Sequence, residues 1–94
     1  MLILPIKKKW FDMILSGENK EEYREIKPYY DSRLLGFYTD KMEHEIFLRN
    51  GYGNDKPTIK CKIKVVTGTG KAEWGAEPYK MYYVLKILSV EKID

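Results

Sequence analysis

The sequence predicts a single α+β domain, a small mostly antiparallel β-barrel with one main amino-terminal helix packed at its end. Three observations support this. The chain has 94 residues, enough for one core and not for two. Five segments alternate or run apolar in the manner of strands, and only one stretch carries a clear helical stripe. Hydrophobic residues make up 44% and charged residues 33%, a balance that excludes disorder, collagen-like repeats and coiled coils. No internal repeat or linker divides the chain, so residues 1–94 are read as one unit.

The elements follow in order. Leu2-Ile3-Leu4 reads as a short buried strand stopped by Pro5. Ile6, Trp10, Met13 and Ile14 then fall on one helical face, predicting a helix over residues 6–16 with Gly17 as its left-handed terminator. Residues 20–26 alternate, with Lys20, Glu22, Arg24 and Ile26 on one side and Glu21, Tyr23 and Glu25 on the other. Pro28 ends that strand, and residues 28–36 read as a short helical turn closed by Gly36. A strand over 43–49 meets the turn signal Asn50-Gly51. In residues 58–67, Ile59, Cys61, Ile63 and Val65 face inward and Lys60, Lys62 and Lys64 outward. A glycine turn and a short segment holding Trp74 lead to a last strand over 79–90.

Charge narrows the partners. The net charge is +3. The first 47 residues carry eight basic and nine acidic groups, while the remainder carry nine and five. Lys56, Lys60, Lys62, Lys64 and Lys71 occur with no acid between Asp55 and Glu73, a patch suited to weak, salt-sensitive binding of a polyanion. No apolar run approaches the roughly 20 residues of a membrane span, and the amino terminus does not read as a secretion signal. Cys61 is the only cysteine, which favours a reducing, cytoplasmic setting. It sits in a strand alternation as a small hydrophobe, which argues against a nucleophilic pair with His44. One His and one Cys show no metal-ligand spacing. The reading therefore needs neither metal nor cofactor.

Two constellations could carry chemistry. Lys7-Lys8-Lys9 opens the predicted helix, where cations oppose the macrodipole. Either they sit harmlessly in solvent or, with free backbone N–H groups, they face an anion. The second is Gly17-Glu18-Asn19-Lys20-Glu21-Glu22-Tyr23-Arg24. Its charged strand face is either an ordinary solvated surface with cross-strand ion pairs or looks into the barrel mouth. There Glu22 and Arg24 would need each other or a polar ligand. Among the aromatics, Trp10 and Tyr83 read as core. Tyr52 and Trp74, on glycine-bounded loops, are candidate stacking faces. Lys60, Lys62 and Lys64 read as the wet side of a strand, and His44 as an exposed strand residue.

Leu4-Pro5-Ile6, the run from Trp10 to Gly17, and Glu21 to Tyr29 resemble the ASCH family of the PUA-like superfamily, marked by Gly-x-Lys-x-x-Glu-x-Arg. Gly17, Glu22 and Arg24 match in register. Asn19 occupies the lysine position, with Lys20 displaced by one residue. The later Arg49-Asn50-Gly51-Tyr52 turn extends the likeness. The resemblance implies a PUA-like barrel with a cleft beside the first helix and the motif strand, holding RNA or a nucleotide. Family activities include RNA binding, ribonuclease action and amide hydrolysis on acetylated cytidine. That hydrolysis relies on the motif lysine, whose proton-accepting role an asparagine amide cannot fill.

The expectation is thus an RNA- or nucleotide-binding module. Arg24 and Lys8 or Lys9 meet phosphate, Glu22 orients Arg24 or accepts from a base or ribose hydroxyl, and Asn50, Tyr52 and Trp74 complete the cleft. The alternative is a hydrolase acting on RNA or a modified nucleoside, with Lys20 or Glu22 as the catalytic base. A third reading is a protein-binding module using the Tyr-rich last strand.

Overall fold

A computed structural model describes residues 1–93. Its elements are β1 (Ile3–Ile6), α1 (Lys8–Leu15), β2 (Glu21–Glu25), α2 (Pro28–Asp40), β3 (Glu43–Asn50), β4 (Thr58–Thr69), a single 3-10 turn (Ala72–Trp74) and β5 (Met81–Ile93). The five strands form one mixed sheet in the order β1-β3-β4-β5-β2. β1 runs parallel to β3, and the other pairings are antiparallel. The sheet curls into a half-barrel. It does not close, so β1 and β2 remain its two edges. None of the described helices is long and apolar enough to cross a membrane.

The α+β class stands, with corrections to the expected elements. Pro5 does not stop β1 but sits inside it. An edge strand bonds on one side only, so a residue lacking N–H costs nothing on the other. Ile6 consequently belongs to β1, and α1 is shorter than predicted, burying Phe11 and Ile14. Gly36 does not end the second helical segment. α2 runs 13 residues to Asp40 and stops where Lys41 turns left-handed (φ 57°). A glycine inside a helix costs about 1 kcal/mol. Burying Leu34 and packing Tyr30 and Phe37 against the core offset it. The described residues therefore form two α-helices, the second where only a short helical turn over 28–36 is predicted.

β5 shows how alternation builds two packed layers. Tyr83, Leu85 and Ile87 join Leu4, Leu48, Ile59 and Ile63 in the main core. Tyr82 and Val84 face away and pack with Ala76, Tyr23 and Val66 in a second, smaller cluster. The segment from Gly70 to Lys80 covers that cluster. Its amide groups are held by two tyrosine hydroxyls, with Lys71 N–H donating to Tyr23 at 2.9 Å and Glu77 N–H to Tyr82 at 2.9 Å. His44, expected to be exposed, is half-buried. Its ring stacks on Phe37 at 3.8 Å, and Nε2 lies 2.7 Å from Asp40 Oδ2, which ties the end of α2 to β3.

Gly70 is a position of close approach. A Cβ there would meet the Tyr23 ring and the Ala76 methyl at 2.6 Å. Gly70→Ala should cost about 1–3 kcal/mol through overpacking. Gly68→Ala, where a Cβ meets nothing within 4 Å, should change stability by no more than ~0.5 kcal/mol. Urea unfolding of both variants checks the contrast.

Candidate functional site

The open side of the half-barrel is a cleft of about 760 Å3. It lies where β1 and β2 would meet if the sheet closed. β1 runs straight into α1, so Pro5, Ile6, Lys7, Lys8 and Trp10 form one wall. β2 forms the opposite wall. The Asn50–Tyr52 turn is fixed by the Gly51 N–H donating to the Ile6 carbonyl at 3.1 Å. Gly51 has a φ of +93°, a conformation that glycine adopts without strain.

Glu22 and Arg24 occupy the floor. Strand alternation puts both on one face of β2, while Tyr23 between them packs in the second cluster, and the cleft wraps the strand edge so that Tyr23, Glu25 and Tyr82 line it as well. Arg24 Nη2 donates to Glu22 Oε2 at 2.6 Å and to the Pro5 carbonyl at 2.9 Å, and Nη1 donates to the Tyr30 hydroxyl at 3.2 Å. One guanidinium thus ties β2 to β1 across the gap that no backbone bond spans, and also to α2. The two side chains are only 10% and 9% exposed. Burial pushes the Glu22 carboxyl above its ordinary range, while the charge of Arg24 and its hydrogen bond pull it down. Burial also works against the Arg24 cation, but Glu22 and Tyr30 together outweigh it and hold its pKa above the usual value.

The predicted site residues divide. Lys8, Glu22, Arg24, Asn50, Tyr52 and Trp74 all line the cleft. Lys9 does not; its ammonium lies 4.7 Å from the Trp10 ring centre. Lys20 is also elsewhere, and this removes it as a base acting beside Glu22. Gly17 turns the chain with φ +86°, and Asn19 tucks fully inside, its Oδ1 accepting from the Glu21 N–H at 2.8 Å. Lys20 is left exposed at a separate pocket of about 200 Å3 beside β5. The motif is therefore split between two ends of β2. Cys61 is buried, and burial, followed by the Glu22 charge, pushes its thiol up to about 12, far from a reactive thiolate.

Sequence reasoning missed two contributors. Tyr30 and the Pro5 carbonyl hold Arg24, and nothing local in the sequence announces a contact 19 residues away. Of the Lys7-Lys8-Lys9 run, Lys7 and Lys8 line the cleft and Lys9 does not. Charges on the rim largely neutralise each other. Lys80 lies 3.2 Å from Glu25 and 3.1 Å from Glu77, Lys27 lies 3.7 Å from Glu25, and Lys8 pairs with Asp12 at 2.6 Å. The predicted strand lysines Lys60, Lys62 and Lys64 lie outside the cleft lining.

The raised Glu22 pKa has a defined effect on stability. Between the ordinary value of 4.5 and the higher folded value, the folded state binds more protons than the unfolded one. This contribution is whole below about 4.5 and is lost as pH rises through the folded value. Urea midpoints of the wild type should thus fall more with rising pH across that window than those of Glu22→Gln. Parallel curves would show that burial does not strain the carboxylate.

Compared with known proteins, the chain matches no family model, no curated protein and no solved structure.

Proposed function

We propose that the domain is PUA-like, akin to the ASCH family, and binds RNA or a nucleotide in the cleft between β1 and β2. One observation carries this reading: the Glu22–Arg24 pair lies on the floor of an aromatic-walled concavity and not on a convex outer surface. Trp10, Tyr30, Tyr52 and Trp74 all line the cleft, and aromatic side chains are what base stacking uses. Tyr52 is 85% exposed, free to cover a base. Arg24 spends most of its donors on protein, so its main part is to position Glu22 and hold the walls together. The lone buried cysteine accords with a cytoplasmic setting.

A hydrolase acting on RNA or a modified nucleoside is the second reading. It is favoured by a buried carboxyl of raised pKa in the cleft, the form a general base or acid takes. Glu22 would carry that role alone, since Lys20 lies away from it.

Titration of fluorescent single-stranded RNA across a salt series tests both readings. Wild-type affinity should fall with salt. Tyr52→Ala, which disturbs no core contact, should weaken binding by about 1–3 kcal/mol. Binding that ignores both salt and Tyr52→Ala overturns the proposal. Turnover lost in Glu22→Gln with affinity retained would establish the hydrolase.

A further inference from the structure

An open half-barrel has a liability at its gap. A sheet edge offers unpaired N–H and C=O groups on which another strand can add, and here the two edge strands, β1 and β2, both flank the cleft. One bond fixes which groups face outward. The Ile87 N–H donates to the Lys20 carbonyl at 2.9 Å. Antiparallel pairs alternate in bonding, so Lys20, Glu22 and Arg24 turn their backbone toward β5, and Glu21, Tyr23 and Glu25 turn theirs to the gap. On β1 the carbonyls of Leu2 and Ile6 accept from Phe47 and Gly51, which leaves Ile3 and Pro5 facing outward.

Those outward groups are largely taken by the chain itself. Asn19 is fully buried, and its Oδ1 accepts from the Glu21 N–H at 2.8 Å. The Tyr23 N–H hydrogen-bonds the Glu22 carboxyl. Pro5 has no N–H, and its carbonyl accepts from Arg24 at 2.9 Å. Of the five outward residues, only Ile3 and Glu25 keep a donor that none of these contacts uses. Charge works in the same direction. Two β2 edges paired antiparallel about Tyr23 would set each Glu21 opposite the Glu25 of the second copy, a repulsive pair. Where β5 outruns β2, a bulge leaves Leu88 without a partner on β4, and a bulge twists an edge away from pairing.

We infer that Pro5, Asn19, Glu22 and Arg24 together guard the gap against strand addition by a second copy of this chain, so that the cleft stays open. The inference goes beyond the ligand reading and holds whatever the cleft binds. It also gives a use to Asn19, which lies outside the cleft lining. Its short side chain occupies a backbone donor two residues on, where a longer residue would leave that donor to an incoming strand.

Sedimentation velocity and amide hydrogen exchange over a range of protein concentrations test the inference. In the wild type, the amides of Tyr23 and Glu25 should exchange at the same rate at low and high concentration. Asn19→Ala combined with Glu25→Lys frees the Glu21 N–H and turns the like-charge pair into an attractive one. This variant should self-associate about tenfold or more tightly than the wild type, with the amides of residues 23 and 25 gaining protection as it does. Glu25→Lys alone alters a half-exposed side chain and leaves the core untouched. It should associate more weakly than the double variant and more tightly than the wild type, which keeps the test decisive if loss of Asn19 impairs folding. Folded variants that associate no more than the wild type overturn the inference. So does a wild type whose amides at residues 23 and 25 become protected as concentration rises.

Discussion

A half-barrel whose two edge strands do not hydrogen-bond needs something else to hold them apart at a fixed distance. Here that is the Arg24 guanidinium, reaching from β2 to the Pro5 carbonyl on β1 and to Tyr30 on α2. Glu22 makes the arrangement tolerable by neutralising a charge that is nine-tenths buried. Breaking such a pair by removing one member costs roughly 3–5 kcal/mol, because the survivor is left uncompensated. Replacing a buried ion pair by a well-packed hydrophobic pair is often neutral or stabilising, but here it would also remove the donors to Tyr30 and the Pro5 carbonyl. The pair's distinctive contribution is geometric: it joins two sheet edges that share no backbone bond and leaves polar groups between them.

The same geometry explains why structure and candidate function are hard to separate at Arg24. The residue that shapes the walls also gives the floor its polarity. A change there alters both, whereas Tyr52 is 85% exposed at the rim, so a change there leaves the walls as they are. Sequence motifs centred on buried charges have this character in general: the spacing marks where polar groups are forced inward, not which atom meets a ligand.

Much of this was legible in the chain. The alternation of Ile59, Cys61, Ile63 and Val65 specified β4 and its inner face, and Glu22 and Arg24 two residues apart had to share a face. What could not be read was non-local. Whether β1 and β2 closed the barrel depends on packing between residues far apart in the chain. Gly36 failed as a stop signal because the core needed Leu34 and Phe37 on one continuous helix. Lys20 was misplaced because Asn19 turned inward by hydrogen bonding to the Glu21 N–H, a side-chain choice the pattern of charges does not encode. The division of lysines into paired and unpaired ones likewise follows only from where the acids land.

Amide hydrogen exchange of wild type and Arg24→Lys tests most directly whether the guanidinium is what spans the gap. A lysine keeps the charge opposite Glu22 but cannot hold Glu22, Tyr30 and the Pro5 carbonyl together with one planar fork. Protection should drop selectively in β1 and β2, while the central β4 amides around Cys61 and Ile63 keep theirs. Uniform loss across the sheet, or no loss at the edges, would contradict the account.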